Sequence, residues 1–317
     1  MKALLIIDIQ NDFLPGGALA VPEGDQIIPL VNELMPEYDL VVATQDWHPE
    51  EHGSFATNHA NVQAFDQIEL NGLPQTLWPA HCVNGTDGAR FAETLNIDFI
   101  DTIIQKGTDP GIDSYSGFYD NGHQKGTGLT EYLRKNEVTE VHLVGLTTDY
   151  CVKFTALDAL KEGFKAVLIQ DACRGVNIQE GDVQKAIVEM QIAGCEVTNT
   201  SDLLSDEVIL YRPTGPNELK KLEEAHFKAW PPRLPEQPIF YPVLNQEYAE
   251  QIANEWNVKD SGSGFVTRFA VKRDYLRKYP RQVVGGKKHE ELWIPAEDLE
   301  EMNEHMTKRI ELIKTFK

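Results

Sequence analysis

Short, unbroken apolar runs alternate with stretches of helical spacing through the first two thirds of this chain. Residues 2–9 (KALLIIDI) and 39–45 (DLVVATQ) are of this kind. Residues 101–106 (DTIIQK), 140–146 (EVHLVGL) and 165–171 (KAVLIQD) repeat it, and residues 195–200 (CEVTNT) make a weaker last run. Helical spacing falls between them at 24–36, 127–136, 151–163 and 180–193. A strand that is apolar at successive positions has both faces buried, which points to a parallel sheet with helices on each side. The expected fold is α/β, a Rossmann-like sheet of mostly parallel strands covered by helices on both faces.

In such a sheet, ligands gather at the carboxyl ends of the strands. Asp8 ends the first run, Asp46 follows the second, Lys106 ends the third, and Cys151 follows the fourth, where it would open a helix. Topology alone brings these residues to one edge. Residues 46–100 lack periodicity and are rich in Gly, Pro and His; so long an irregular segment inside a compact domain is usually functional.

Beyond Glu207 the pattern changes. Nine of the 17 prolines follow it, many in YRPTGPNEL (211–219) and WPPRLPEQPIFYPVL (230–244). An amphipathic helix at 245–257, a strand at 264–272 and a helix at 295–313 predict a small α+β unit. Charge breaks at the same place: residues 1–207 carry 11 Lys and Arg against 33 Asp and Glu, and residues 208–317 carry 18 against 17. Two domains are expected, 1–207 and 208–317.

The acidic first part would repel nucleic acid and anionic membrane, so neither is an expected partner; a small neutral or cationic substrate is. A hydrophobic share of 41% with 25% charged residues is an ordinary globular balance. No stretch is long enough to span a membrane. The opening MKALLIIDIQNDF has too short an apolar run for a signal peptide, and Asp8 interrupts it. Four cysteines, Cys82, Cys151, Cys173 and Cys195, form no CxxC pair. A cytoplasmic protein with free thiols is expected.

The candidate chemistry lies in a few short motifs. DWHPEEHGSF (46–55) puts Asp46 and His48 on the same side of an extended segment, and WPAHCVNGT (78–86) adds His81. Carboxylate and imidazole are ligands of zinc, iron or manganese, and three protein ligands with open positions make a catalytic site. Taken alone, a D-x-H pair is short and common and more often belongs to a solvated loop. In GLTTDYCV (145–152), a strand and a polar turn lead to Cys151 at a helix start. There the helix terminus would lower the thiol pKa and offer backbone donors to an oxyanion; a buried structural thiol is the alternative, and Cys173 and Cys195 fit it. Asp8 and Lys106, acid and base at strand ends, serve either as a proton carrier and a cation beside a nucleophile or as a structural salt bridge. Phe13, Trp78 and Tyr115 could stack on a flat ring.

Taken in order, IDIQNDF, DWHPEEHGSF, WPAHCVNGT, a KG pair after a strand, YSGF and GLTTDYC resemble the nicotinamidase/pyrazinamidase branch of the isochorismatase-like cysteine hydrolases, over residues 1 to about 205. The resemblance implies a catalytic triad of Asp8, Lys106 and Cys151. It implies one divalent metal, zinc first with iron or manganese as alternatives, held by Asp46, His48 and His81. Ser54 and His52 match positions that support the metal or add a contact to it. It also implies a cis peptide bond before Thr147, oxyanion donors from the amides of Thr147 and Cys151, and ring-sandwiching by Phe13 and Trp78. The implied reaction converts nicotinamide and water to nicotinic acid and ammonia through a cysteine thioester, in NAD salvage, with pyrazinamide as a second substrate. The alternatives are a cysteine amidase for another small amide, or a nicotinamide-binding sensor serving the C-terminal unit. A homo-oligomer is compatible with the reading.

Residues 208–317 lie outside the family's usual chain. Arg212, Tyr241, Arg268 and Glu291 are candidates for lining a nucleotide pocket there, on a weak likeness to ADP-ribosyltransferase-type folds; surface charge and ordinary packing are the commoner explanation for such residues.

Overall fold

The computed structural model describes residues 1–234, 236–286 and 288–317. The chain divides into two compact units, Met1–Leu203 and Leu204–Lys317. In chain order the first holds β1 (Lys2–Ile7), α1 (Ile28–Leu34), β2 (Leu40–Asp46), β3 (Gln67–Leu70), β4 (Leu73–Thr76), β5 (Thr102–Lys106), α2 (Leu129–Lys135), β6 (Glu140–Leu146), α3 (Lys153–Lys161), β7 (Lys165–Arg174), α4 (Asp182–Ala193), β8 (Glu196–Thr198) and α5 (Thr200–Leu203). Six strands form one sheet in the order β5-β2-β1-β6-β7-β8, and every adjacent pair is parallel.

The apolar runs explain that order. Every residue of β2 is buried, and so is all but the first residue of β1 and of β6. On one face Leu5, Val42 and Leu143 pack with Leu133 of α2, Ala156 of α3 and Met190 of α4. Leu4, Ile6 and Val41 are just as buried and by strand alternation belong to the other face. None of α1 to α4 has a side-chain hydrogen bond at its N-cap. Such a cap is worth about 1 kcal/mol, whereas each buried large aliphatic side chain contributes about 1.5–3 kcal/mol; packing, not capping, holds these helices.

Two sequence expectations change here. Residues 101–106 read as a continuous run, yet β5 is an edge strand that alternates, with Ile103 47% exposed and Lys106 2% exposed. Residues 46–100 are not wholly irregular, because β3 and β4 form an antiparallel hairpin within them.

Gly145 shows how tightly β6 and β1 are fitted. Its φ is +116°, and a Cβ would run into the backbone of Ile7, its partner in β1. The β6–β7 pairing also shifts register between Leu143 and Gly145. Gly145→Ala is expected to lower stability by at least about 2 kcal/mol, read as a lower denaturant midpoint; an unchanged midpoint would show that the strands can part at no cost.

The second unit holds β9 (Glu207–Thr214), α6 (Pro216–Glu224), β10 (Ile239–Phe240), α7 (Gln246–Ile252), α8 (Val258–Ser261), β11 (Gly264–Lys272), α9 (Arg273–Leu276), β12 (Arg281–Val283), β13 (Glu290–Leu292), β14 (Ile294–Pro295), α10 (Leu299–Glu304) and β15 (Glu311–Phe316). Its sheet runs β15-β11-β9, all antiparallel, with pairs β10–β14 and β12–β13 beside it. Trp230, Phe240 and Phe269 form the aromatic centre of its core.

The helix expected at 295–313 stops at Glu304, and residues 311–316 form β15. The β-branched Ile310, Ile313 and Thr315 favour extended backbone, and β11 offers an edge to pair with. The units part at Leu203/Leu204 rather than after Glu207, because the carbonyls of Ser205 and Asp206 already accept from Arg273 of the second unit. Among the described residues no helix is long and apolar enough to cross a membrane. All four cysteines are free and buried.

Candidate active site

The carboxyl ends of β1, β2 and β5 and the turn after β6 meet at one place. Asp8 directly follows β1 with φ +48° and no exposure. Asp46 and Lys106, last residues of β2 and β5, stand opposite each other in the sheet register. Cys151 lies in a single π-helical turn, Thr148–Val152, and α3 begins only at Lys153. The nucleophile candidate therefore precedes the α-helix rather than opening it. The carbonyl of Thr147 accepts from the amides of Tyr150 and Val152, closing this turn, and the Leu146–Thr147 peptide bond is cis.

Lys106 is the hub. Its Nζ lies 2.9 Å from Asp8 Oδ2, 2.5 Å from Asp46 Oδ1 and 3.4 Å from Cys151 Sγ, and it donates to the carbonyl of Ser114 at 3.0 Å. Burial alone would discharge it, but Asp46, Asp8 and Cys151 hold its pKa well above the usual lysine range. Asp8 accepts from Thr44 Oγ1 at 2.6 Å. Burial raises the Asp8 pKa against the opposing pull of Lys106, with Asp46 adding to the rise, which makes Asp8 a better proton acceptor than an ordinary aspartate.

The thiol departs from expectation. A lowered pKa was expected of Cys151, but burial pushes it well above the usual range, and Asp8 and Asp46 add to that against Lys106. Cys151 rests as a thiol, and a base beside it has to remove its proton.

Asp46 divides its two oxygens. Oδ1 faces Lys106, and Oδ2 lies 3.6 Å from His48 Nε2 and 3.8 Å from His81 Nε2. His48 Nδ1 bonds the carbonyl of Gly107 at 2.9 Å, and His81 Nδ1 bonds that of Pro79 at 2.8 Å. A carbonyl only accepts, so each Nδ1 carries a proton, and each Nε2 faces Asp46, where a neutral ring offers its lone pair. Backbone anchoring of the far ring nitrogen is how metal-binding histidines are usually oriented. Burial, with His48 beside it, lowers the His81 pKa to about 4, so the ring is neutral near neutral pH. Burial works against a charge on His48, but Asp46 beside it outweighs that and raises its pKa; with its Nε2 deprotonated, His48 would join His81 and Asp46, all buried, as a ligand set that fits a divalent cation. Gly107 faces the His48 ring so closely that no Cβ could be added there.

A pocket opens onto these groups. Phe13, Trp78 and Tyr115 line it together with Thr147 and Cys151. Ser54 and His52 do not line it. They are wholly buried behind His48, with the His52 ring 4.4 Å from that of His48 and its Nδ1 2.7 Å from Ser54 Oγ. His52 Nε2 is buried without a hydrogen-bond partner.

Sequence reading missed several contributors. Tyr150 and Val176 also line the cavity. Asp149 holds Val176 there, accepting from the amides of Val176 at 3.0 Å and Asn177 at 2.7 Å. Gln10 bonds both the amide and the carbonyl of Asp46 at 2.8 Å, fixing the end of β2 to that of β1. A buried polar residue two places after Asp8 was a signal for it. For Val176 no signal existed, since its place depends on a loop far along the chain. Burial raises Cys173 to about 12 and Cys195 to about 11, as inert structural thiols.

In the second unit the four candidates do not line one pocket. Arg212 opposes Thr267 across the sheet and Arg268 opposes Tyr211, so alternation sends the two arginines to opposite faces. Arg268 pairs with Glu311 at the surface.

Comparison with known proteins gives a consistent result. Residues 2–202 match the isochorismatase domain family. A nicotinamidase of Escherichia coli is 48% identical over 205 residues, covering 63% of this chain and 96% of that protein. A nicotinamidase/pyrazinamidase structure from Acinetobacter baumanii superposes with a TM-score of 0.63 at 47% identity, covering 64% of this chain and 98% of that one. A pyrazinamidase of Pyrococcus horikoshii in complex with zinc superposes with a TM-score of 0.52 at 42% identity, covering 62% and 98%.

Proposed function

This chain belongs to the isochorismatase family, and on that premise we propose that its first unit hydrolyses nicotinamide to nicotinic acid and ammonia. The observation that carries the mechanism is the single ammonium of Lys106, set within 3.4 Å of Cys151 Sγ and paired with both Asp8 and Asp46.

Asp8 takes the thiol proton of Cys151, and Lys106 steadies the thiolate as it forms. The thiolate attacks the carboxamide carbon. The oxyanion that results is met by the amides of Thr147 and Cys151, donors fixed in advance by the turn. Asp8 returns the proton to the departing nitrogen, and ammonia leaves a thioester on Cys151. Water then adds to the thioester carbon, giving up a proton to Asp8, and nicotinic acid departs as the thiol is restored. Phe13 and Trp78 flank the ring, with Tyr115 at its edge, and the closely packed aromatic wall excludes bulk water.

Asp46, His48 and His81 would hold a divalent cation, zinc first among the choices, whose Lewis acidity would serve to orient a ring nitrogen. The zinc of the Pyrococcus horikoshii relative supports that choice. Pyrazinamide, a ring of the same size, is expected to be hydrolysed as well.

Ammonia release from nicotinamide tests the reading. Metal-replete protein is expected to turn over, and exhaustive chelation to reduce the rate by roughly 10²-fold, with recovery on adding back zinc, iron or manganese. No turnover by the replete protein would remove nicotinamide as the substrate. Full activity at verified sub-stoichiometric metal would remove the cation from the chemistry.

A further inference from the structure

Away from this site, the second unit buries two arginines against one aromatic ring. The guanidinium of Arg212, on β9, lies 4.8 Å from the centre of the Phe240 ring, and that of Arg233 lies 6.0 Å from it. The two share one carboxylate: Glu218, in the first turn of α6, receives Arg233 Nη1 at 3.0 Å and Arg212 Nη2 at 3.4 Å. Their side chains are only 12% and 9% exposed, and that of Glu218 19%.

Donors outnumber acceptors here. Each guanidinium carries five N–H groups and accepts nothing. Besides Glu218, the hydrogen-bonded acceptors are the carbonyl of Tyr241, 2.9 Å from Arg212 Nη1, and Gln237 Oε1, 2.9 Å from Arg233 Nη2. Among the described residues, Arg212 Nε and Arg233 Nε are buried without partners. So are Trp230 Nε1, whose ring lies 4.9 Å from Phe240, and Thr214 Oγ1, two residues from Arg212 on the same face of β9. Buried donors without acceptors are rare because each costs about 1–3 kcal/mol. Glu291 also faces Arg212, but its two oxygens are engaged by Tyr248 Oη at 2.9 Å and Trp293 Nε1 at 3.1 Å. What the cluster lacks, among the described residues, is a second acceptor-only group to join Glu218, and a planar guanidinium fork matches a phosphate or carboxylate best.

We propose that the second unit binds a phosphate-class oxyanion between Arg212 and Arg233 over the Phe240 ring, near the start of α6. The chemistry is common to inorganic phosphate and to the phosphate end of a nucleotide, and it is independent of the hydrolase assigned to the first unit.

The test is calorimetric titration of the full chain with inorganic phosphate and, separately, with a nucleoside diphosphate, at ionic strength balanced with chloride. Saturable binding of either is expected. Binding of both would mean that the phosphate group alone is read, and binding of the nucleotide alone that the attached group also contributes. Arg233→Gln should weaken binding at least tenfold and Arg233→Lys nearly as much, because a lysine keeps the charge but loses the fork. Neither should alter ammonia release by the first unit, and a wild-type circular dichroism spectrum and denaturant unfolding curve would report that the second unit is folded. No heat at millimolar phosphate or nucleotide with wild-type protein, or unchanged affinity in folded Arg233→Lys, would overturn the proposal and leave the cluster as a structural ion network.

Discussion

Cys151→Ala is expected to abolish ammonia release from nicotinamide, by a factor on the order of 10⁴ or more, while leaving nicotinamide binding within a few-fold of wild type. Loss of a covalent nucleophile removes the pathway itself, and such deletions cost as much as removing a whole catalytic constellation. Binding should persist because the cavity walls, Phe13, Trp78 and Tyr115 among them, do not depend on the sulfur. Cys151→Ser is a sharper probe. The hydroxyl is harder to deprotonate than a thiol, and Asp8, though raised by burial, is too weak a base for it. The serine variant should therefore be nearly as inactive as the alanine one. Turnover within tenfold of wild type in Cys151→Ala would sink the thioester route and move the search to a directly activated water.

Lys106→Met, measured on metal-stripped protein, should be the most destabilising single change in the first unit, by about 3–5 kcal/mol. Removing one partner of a buried ion pair leaves the others uncompensated, and here two carboxylates, Asp8 and Asp46, lose their cation together. The loss should also depend on pH. Asp8 already lies above the ordinary carboxylate range in the intact site, and without Lys106 it would rise further. A group whose folded pKa is raised favours the fold below its unfolded pKa, and that advantage disappears as pH rises through the folded value. The deficit of Lys106→Met relative to wild type should thus be larger near pH 8 than near pH 5, read from denaturant midpoints at both. An equal deficit at the two values would mean that water, not protons, compensates the carboxylates. The same variant should be inactive even where it is folded.

Much of this site was legible because its chemistry sits in short motifs at strand ends. Asp8, Asp46 and Lys106 follow apolar runs, and a parallel sheet carries such positions to one edge whatever the loops do. Cys151 was visible for the same reason, but its pKa was not. The direction is set first by burial at the assembled sheet edge, with two carboxylates from other strands adding to it, and no local sequence rule contains either. The edge character of β5 was hidden because Ile103 and Ile104 read as a short unbroken apolar run, and only the strand order assigns it one neighbour. The end of the chain was misread because residues 295–304 do have helical spacing; the switch to an extended period at Ile310 lies within a few residues and is decided by pairing with β11. Val176 and Asp149 illustrate a further limit, since a wall residue held by a side chain from another loop leaves no periodic trace.

The place of Lys106 has a consequence for how the protein loses activity. It lies on the outermost strand of the sheet, which pairs with β2 alone, and strands of that kind open locally well below the free energy of global unfolding. Opening β5 would take the ammonium out from between Asp8 and Asp46, while the inner strands and helices α2 to α4 kept their packing. The two ion pairs are therefore also the latch of the sheet's margin. Heat inactivation is then expected to begin as local, reversible fraying at one edge, read as activity that is lost below the melting temperature of the core and returns on cooling.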